Sequence, residues 1–248
     1  MFESSRKSTI AVQIHAQLRR QIILGTLTPR QPLSENELSA SLGVSRTPVR
    51  EALGKLEKEG LIQIIPQYGT FVSPIQVDQV YSNQFVREAL ECAALPLAAA
   101  HCTVADGRQL RALLSRQRAC DDDTAFFACD EAMHALLMAI AGQERAWDVV
   151  ETAKLHLDRV RHLAVRSPLK RKSIIAEHVV IVGHVLAGDA EAAVGAMRSH
   201  LRGVFASIEP VMQQHPQFFS DNTAETRPLR RASKADTPVL GSKELQAS

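Results

Sequence analysis

The chain has 248 residues, a formal net charge of +2, and 45% hydrophobic but only 4% aromatic residues. That length suits one medium domain and one small one, with Ala, Leu, Ile and Val filling the cores. No segment has the length or purity of a transmembrane helix, and the polar start MFESSRKST is not a signal peptide, so the expected compartment is the cytoplasm. Charge is unevenly placed: residues 1–74 hold nine Lys/Arg against six Asp/Glu, whereas residues 75–216 hold fifteen against seventeen. A basic head on a mildly acidic body fits a chain whose head meets phosphate.

In chain order, Ile10, Ile14, Leu18 and Ile22 mark an amphipathic helix ending at Gly25. A short helix is predicted over Glu35–Leu42, closed by Gly43. Ser45 then offers a hydroxyl N-cap, and Pro48 falls in the first turn of the next helix, where its missing N–H costs little. Val49, Leu53 and Leu56 give that helix one buried stripe, while Arg46 and Arg50, four apart, share an outward face. A helix whose first turn presents Arg-Thr-x-x-Arg, braced by a shorter helix through a Gly turn, is built like a major-groove reader. Leu61–Ile65 and Thr70–Val72 read as strands around the turn Pro66-Gln67-Tyr68-Gly69. A hairpin at this place is a wing, and Gly69 would let backbone approach DNA closely.

From about Asp78 to His215 the pattern is helical, with helices predicted near 78–101, 105–119, 123–141, 144–165, 171–187 and 190–213. From Gln217 the sequence turns polar and loses periodicity, as a disordered tail would. The expected division is therefore 1–74 for DNA binding, 75–216 for a helical effector-binding and dimerisation domain, and 217–248 for the tail. Cys92, Cys102, Cys120 and Cys129 show no CxxC spacing and are expected to be reduced, partly buried thiols.

The body's chemistry lies in helical histidines. Asp130 and His134 are four apart on one helix face; His178 and His200 lie on two other helices. Three neutral imidazoles and one carboxylate from three helices can hold a divalent transition metal and leave room for exogenous ligands. Arg87, on the first body helix, either faces the interior to clamp a ligand carboxylate or pairs with Glu91 on the surface. His156 and His184 are weaker candidates for the same cavity.

Two family resemblances cover most of the chain. The residues LSENELSASLGVSRTPVREALGKLEKEGL and Gly69-Thr70-Phe71-Val72 resemble the winged helix-turn-helix of GntR-family transcriptional regulators over about Ile10 to Val72. By motif position the resemblance implies base or phosphate contacts from Ser45, Arg46, Thr47 and Arg50, and a wing tip at Tyr68 and Gly69. Asn36 departs from relatives that place a basic residue there. The order Arg87-Glu88-x-Leu90-Glu91, then Asp130-x3-His134, then Glu177-His178, then Met197-x2-His200-Leu201, resembles the FadR-like ligand-binding domain across nearly all of residues 78–212. Many members carry a metal there, which implies Asp130, His134, His178 and His200 as ligands. Zinc is the first candidate, with nickel or manganese next. Six helices place the chain nearer the VanR-like branch, and Gln143 stands where relatives commonly have Asn.

The expected architecture is mainly α, a winged helix-turn-helix followed by an antiparallel bundle of about six helices. The expected function is a metabolite-responsive transcriptional repressor. As a homodimer it would read a palindromic operator and bind a small carboxylate such as a sugar acid, hydroxy acid or dicarboxylate. The alternatives are a metal-dependent hydrolase fused to a DNA-binding head, and an effector-free DNA binder with a structural metal.

Overall fold

The computed structural model describes residues 2–164 and 168–220, with backbone alone for 2–9 and 168–169. The head comprises α1 (Phe2–Ile23), α2 (Glu35–Leu42), α3 (Arg46–Lys58), β1 (Ile62–Ile65) and β2 (Gly69–Val72). Ser34 caps α2, its Oγ accepting from the Glu37 N–H at 3.3 Å. Gly43, at φ 65°, then turns the chain in the left-handed region that glycine enters without strain. The apolar stripe of α3 buries Val49, Ala52, Leu53 and Leu56 against Ile14, Leu18 and Ile22 of α1. At 25 cal/mol per Å², each such buried aliphatic side chain contributes on the order of 1.5–3 kcal/mol. The Ser45 expectation needs correction. It sits at the N-cap position of α3, but its hydroxyl makes no capping bond.

β1 and β2 pair antiparallel with Ile62 opposite Val72 and Ile65 opposite Gly69. Gly69 therefore begins the second strand, and the tip of the wing is Pro66-Gln67-Tyr68, with Gln67 at φ 67°.

The body runs through α4 (Val77–His101), α5 (Val104–Arg118), α6 (Asp123–Ile140), α7 (Glu144–Ala153), α8 (Leu155–Ala164), α9 (Pro168–Ala187), α10 (Ala190–Arg202) and α11 (Phe205–Gln214). Among the described residues these are eight helices where six were expected, because two of the six are broken. The 144–165 segment breaks at Lys154, and the 190–213 segment breaks at Gly203–Val204. Backbone angles there stay near helical (Gly203 φ −58°, ψ −22°; Val204 φ −66°, ψ −32°), so hydrophobic spacing carries no trace of the second break. Side-chain caps start several elements: Thr103 and Asp106 form a reciprocal box on α5, and Asp122 and Asp189 cap α6 and α10. The main core gathers Leu95, Leu110, Met133, Leu137, Val150, Ile181, Val185 and Met197 from six of these helices.

Head and body share packed surface. Leu155, the first residue of α8, is 1% exposed and belongs to the apolar cluster of the head. Residues 217–220 also depart from the expected tail. Ile75 N–H donates to the Phe218 carbonyl at 2.8 Å, Ser220 N–H donates to the Ile75 carbonyl at 3.0 Å, and Phe219 is buried beside Ile75. Two apolar residues at the head–body joint, Phe218 and Phe219, outweigh the polar composition around them. Residues 221–248, to which the rest of the tail expectation refers, lie outside the described residues.

Candidate DNA-reading face and buried metal-ligand cluster

On the head, Ser45, Arg46, Thr47 and Arg50 are all exposed, while Pro48 and Val49 between them are buried. The helical period thus turns the arginines to the side opposite the core, as a groove-reading helix requires. Arg50 is already engaged: its Nε and Nη2 donate to the two carboxylate oxygens of Glu35 at 3.0 and 2.9 Å. The Arg50 hydrogen bond holds the Glu35 carboxyl below its ordinary value. This fork ties α2 to α3 and presets Arg50, but a phosphate or guanine would have to share it. On the wing, Tyr68 is 81% exposed.

In the body, α6, α9 and α10 bring Asp130, His134, His178 and His200 together. One ligating atom from each lies within 4.8 Å of the others. Asp130 and His178 are fully buried, His134 is 1% exposed and His200 9%. His178 Nε2 stands 3.3 Å from His200 Nε2 and 3.4 Å from Asp130 Oδ1. The outer ring nitrogens explain why these faces converge. His134 Nδ1 donates to Glu91 Oε2, His178 Nδ1 to Gln117 Oε1 at 2.9 Å, and His200 Nδ1 to Glu177 Oε2 at 2.8 Å. Each partner oxygen is an acceptor, so each Nδ1 carries the proton and each Nε2 of a neutral ring turns a lone pair inward.

Protonation agrees with that arrangement. Burial pushes His178 well below the ordinary imidazole value and lowers His200 as well, which keeps both neutral near pH 7. Burial alone would raise Asp130, but the Arg161 guanidinium beside it holds it well below the ordinary carboxylate value. Glu91 is likewise held low against its burial, chiefly by Arg87. Two of the candidate ligand atoms have no hydrogen-bond partner: Asp130 Oδ1 and His134 Nε2. A cation of borderline softness satisfies both orphans and fits a three-nitrogen, one-oxygen donor set, so the residues present fit a divalent metal.

A cavity opens beside the cluster, lined by Arg87, Arg161, Lys170, Glu177, His200 and Ser207 among others. Arg87 is 3% exposed, and its Nε donates to Glu91 Oε1 at 2.6 Å. Both readings of Arg87 thus meet in one residue: it pairs with Glu91 and it lines the cavity, and the pair is buried rather than on the surface. His156 is not in the cavity; it is buried at the joint, its ring facing Gly60. His184 is half-exposed and lies 3.9 Å from Asp189. The four cysteines are free, and Cys120 and Cys129 approach to 3.9 Å between sulfurs.

Sequence reasoning missed Gln117, Arg161 and the role of Glu177. Glu177 points away from His178, as adjacent helical residues must, and for that reason reaches His200 on α10 instead. Glu91 stood in the quoted motif as a partner for Arg87 alone. Gln117 and Arg161 carry no local signal, because their partners come from other helices.

An exposed arginine pair on the second helix of a helix-turn-helix, a wing beside it and an attached helical domain define a DNA-binding transcriptional regulator. Comparison with known proteins agrees. Residues 10–72 match the family model described as bacterial regulatory proteins, gntR family, and residues 84–203 match the FCD domain. An HTH-type transcriptional regulator in an unstable DNA locus of Streptomyces ambofaciens is 42% identical over 88% of this chain and 92% of its own length. The HTH-type transcriptional repressor RspR of Escherichia coli K12 is 37% identical over 84% and 93%. Among solved structures, a GntR regulator from Rhodococcus sp. RHA1 superposes with a TM-score of 0.68 at 25% identity, covering 83% of this chain and 98% of that one. E. coli McbR/YncC shares the fold, with a TM-score of 0.71 at 21% identity over 83% and 98%. The chain belongs to the GntR family of transcriptional regulators, with an FCD domain as its helical body. Its relatives are named as transcriptional regulators, and its two domains are a gntR-family head and an FCD domain rather than enzymatic families.

Proposed function

We propose that this protein is a cytoplasmic, metabolite-responsive repressor whose body holds a divalent metal and a small organic acid. The observation that carries the reading is the buried convergence of Asp130, His134, His178 and His200, with two inward atoms lacking partners and three Nδ1 protons fixed from behind. Zinc suits the donor set, with nickel or manganese as alternatives. When bound, such an ion supplies open coordination positions for an oxygen ligand. Around them, this chain's own residues set the preference. Arg87, Arg161 and Lys170 make the cavity attractive to a carboxylate, and Ser207 adds a hydroxyl. Sugar acids, hydroxy acids and dicarboxylates are the effector classes these groups favour.

Residues 1–74 then form the DNA-reading unit and 75–216 the effector and dimerisation unit, with 217–220 attached to the latter. Arg46, Thr47 and Arg50 would meet bases or adjacent phosphates, Ser45 the backbone at the helix start, and Tyr68 and Gly69 of the wing the neighbouring strand. A homodimer would place two such heads on a palindromic operator. The apolar stripe on α4 supports this: Tyr81, Phe85, Ala89, Ala93 and Leu97 recur every four residues and are exposed, Phe85 at 76%. The repressor sense follows the E. coli relative's name.

Elemental analysis of purified protein tests the metal, with close to one divalent ion per chain expected. Operator binding titrated against organic acids tests the effector. Metal-free protein as isolated, with no binding on titration, would overturn the metal reading; operator affinity indifferent to every acid would overturn the effector reading.

A further inference from the structure

One short helix, α8, reaches from the cavity to the head. At its C-terminal half, α8 carries Arg161, whose Nη2 donates to Asp130 Oδ2 at 2.5 Å and whose Nη1 donates to Asp158 Oδ1 at 3.3 Å. Asp158 accepts through its other oxygen from Lys154 Nζ at 2.5 Å, and Lys154 also donates to Glu131, the neighbour of Asp130 on α6. Lys154 is the residue at which α7 and α8 separate, with its N–H donating back to the Val150 carbonyl and its carbonyl accepting from the Asp158 N–H. At the N-terminal end, Leu155 is packed in the apolar cluster of the head with Ile14, Leu18, Ile22 and Leu56. Arg19 of α1 donates to the Glu151 carbonyl of α7 at 3.2 Å, and Arg19, Arg20, Glu131, Lys154 and Asp158 face one cleft between head and body.

We propose that α8 is the element that transmits occupancy of the cavity to the DNA-binding head, with Arg161, Asp158 and Lys154 as its positioning residues. This inference rests on the metal and effector reading above. Arg161 lines the cavity and is already shared between two carboxylates. A cation held by Asp130 would weaken the hold of Asp130 on Arg161, and a carboxylate in the cavity would compete for the same guanidinium. The freed guanidinium would change its 3.3 Å contact with Asp158, and with it the share of Asp158 that Lys154 holds at the α7–α8 break. A helix of ten residues, about 15 Å long, moves as a unit because close-packed interiors do not deform smoothly. Its displacement reaches α1 through Leu155, and α1 is the helix against which the recognition helix α3 packs. These contacts form a continuous packed path from the cavity to α1, and a discrete displacement of α8 along it is the two-state element the proposal requires.

The test uses full-length protein stripped with chelator and titrated with Zn²⁺ alone. Calorimetry reads metal affinity and hydrogen–deuterium exchange reads the backbone of α1, α6, α8, α9 and α10. In the wild type, Zn²⁺ should change exchange in α8 and in residues 10–23 as well as in the ligand helices. In Lys154→Met and in the near-isosteric Asp158→Asn, Zn²⁺ affinity should stay within about threefold and the ligand helices should still respond. The change at residues 10–23 should fall at least about fivefold, the lower end of ordinary allosteric coupling. A full response at residues 10–23 in a folded variant overturns the proposal, as does a wild type that binds Zn²⁺ without any change there. If the wild type binds no Zn²⁺, the metal reading has failed, and the coupling is read through Arg161→Met in the same stripped protein. That substitution should alter exchange at residues 10–23 in the wild-type background and not in the Lys154→Met background; no alteration in either overturns α8 as the transmitter.

Discussion

Replacing His134 by Gln removes one inward nitrogen and little else. The Gln amide can still donate to Glu91 in place of His134 Nδ1, so the Arg87–Glu91 pair keeps its setting. The magnitude can be worked through. Two inward atoms, Asp130 Oδ1 and His134 Nε2, lack partners, and each such group costs about 1–3 kcal/mol when buried. Zn²⁺ at 100 times its Kd should stabilise the wild type by about 2.7 kcal/mol, which for a chain of 248 residues raises Tm by roughly 5–11 °C. Loss of a partner behind a ligand commonly weakens metal binding 10–100-fold, so loss of the ligand itself should weaken it by at least about 100-fold. At the same Zn²⁺ concentration the variant then gains about 0.4 kcal/mol, near 1 °C. The assay is a thermal melt by circular dichroism at 222 nm, with chelator-treated protein and added Zn²⁺. His15→Gln serves as control, since His15 pairs with Glu59 in the head, far from the cluster. A His134→Gln shift equal to that of the wild type would refute the reasoning.

Three other outcomes are expected. Arg46→Ala should lose about 1–3 kcal/mol of operator affinity in a gel-shift titration without lowering Tm, since Arg46 lies off the buried stripe of α3; undiminished affinity would remove it from the reading set. Arg159→Met should keep or raise stability by up to about 2 kcal/mol in urea unfolding, because the Arg159 guanidinium is buried with no hydrogen-bond partner and burial pushes it down to about 10; a large loss would mean that the charge has a role in the fold. Burial pushes both His156 and His162 down to about 4. The unfolded chain therefore binds their protons first as pH falls below about 6.5, and stability should decline between pH 6.5 and 4, by roughly 2 kcal/mol per histidine at pH 5. Asp130 and Glu91 extend the loss to lower pH, because both are held below ordinary carboxylate values and must be protonated in acid. A stability flat from pH 7 to 5 would contradict the buried neutral state of these rings.

Local signals made the head legible almost residue by residue. Gly43, Pro48 and the Val49/Leu53/Leu56 stripe act within one or two helical turns, and the structure honours each of them. Ser45 shows the limit, since a residue type that favours capping does not guarantee the bond. The wing tip shifted by one position for a similar reason: register fixes Gly69 opposite Ile65, and register depends on cross-strand packing that composition does not carry. In the body, the four cluster residues were legible from i, i+4 spacing and resemblance, and the structure does bring their ligating atoms together.

The supporting residues were not legible, and the reason is geometric. Gln117 lies 61 positions from His178, Arg161 lies 31 from Asp130, and Glu177 lies 23 from His200. Nothing local selects a Gln or Arg for a partner on another helix; the selection happens when the bundle closes. The same holds for the break at Lys154. A continuous helical pattern from 144 to 165 conceals it; beyond the break α8 carries Leu155 into the head and Arg161 to the cluster, while Lys154 pairs with Asp158 and with Glu131 of α6. In the proposed relay the tie to the head is apolar, through Leu155, and the ties to the cluster side cross between helices, Arg161 to Asp130 and Lys154 to Glu131, made by residues that look ordinary in the sequence. Variants at Lys154 and Asp158 should therefore change the response to ligand more than they change either domain's own binding, whereas variants at Arg161, which lines the cavity, should change both.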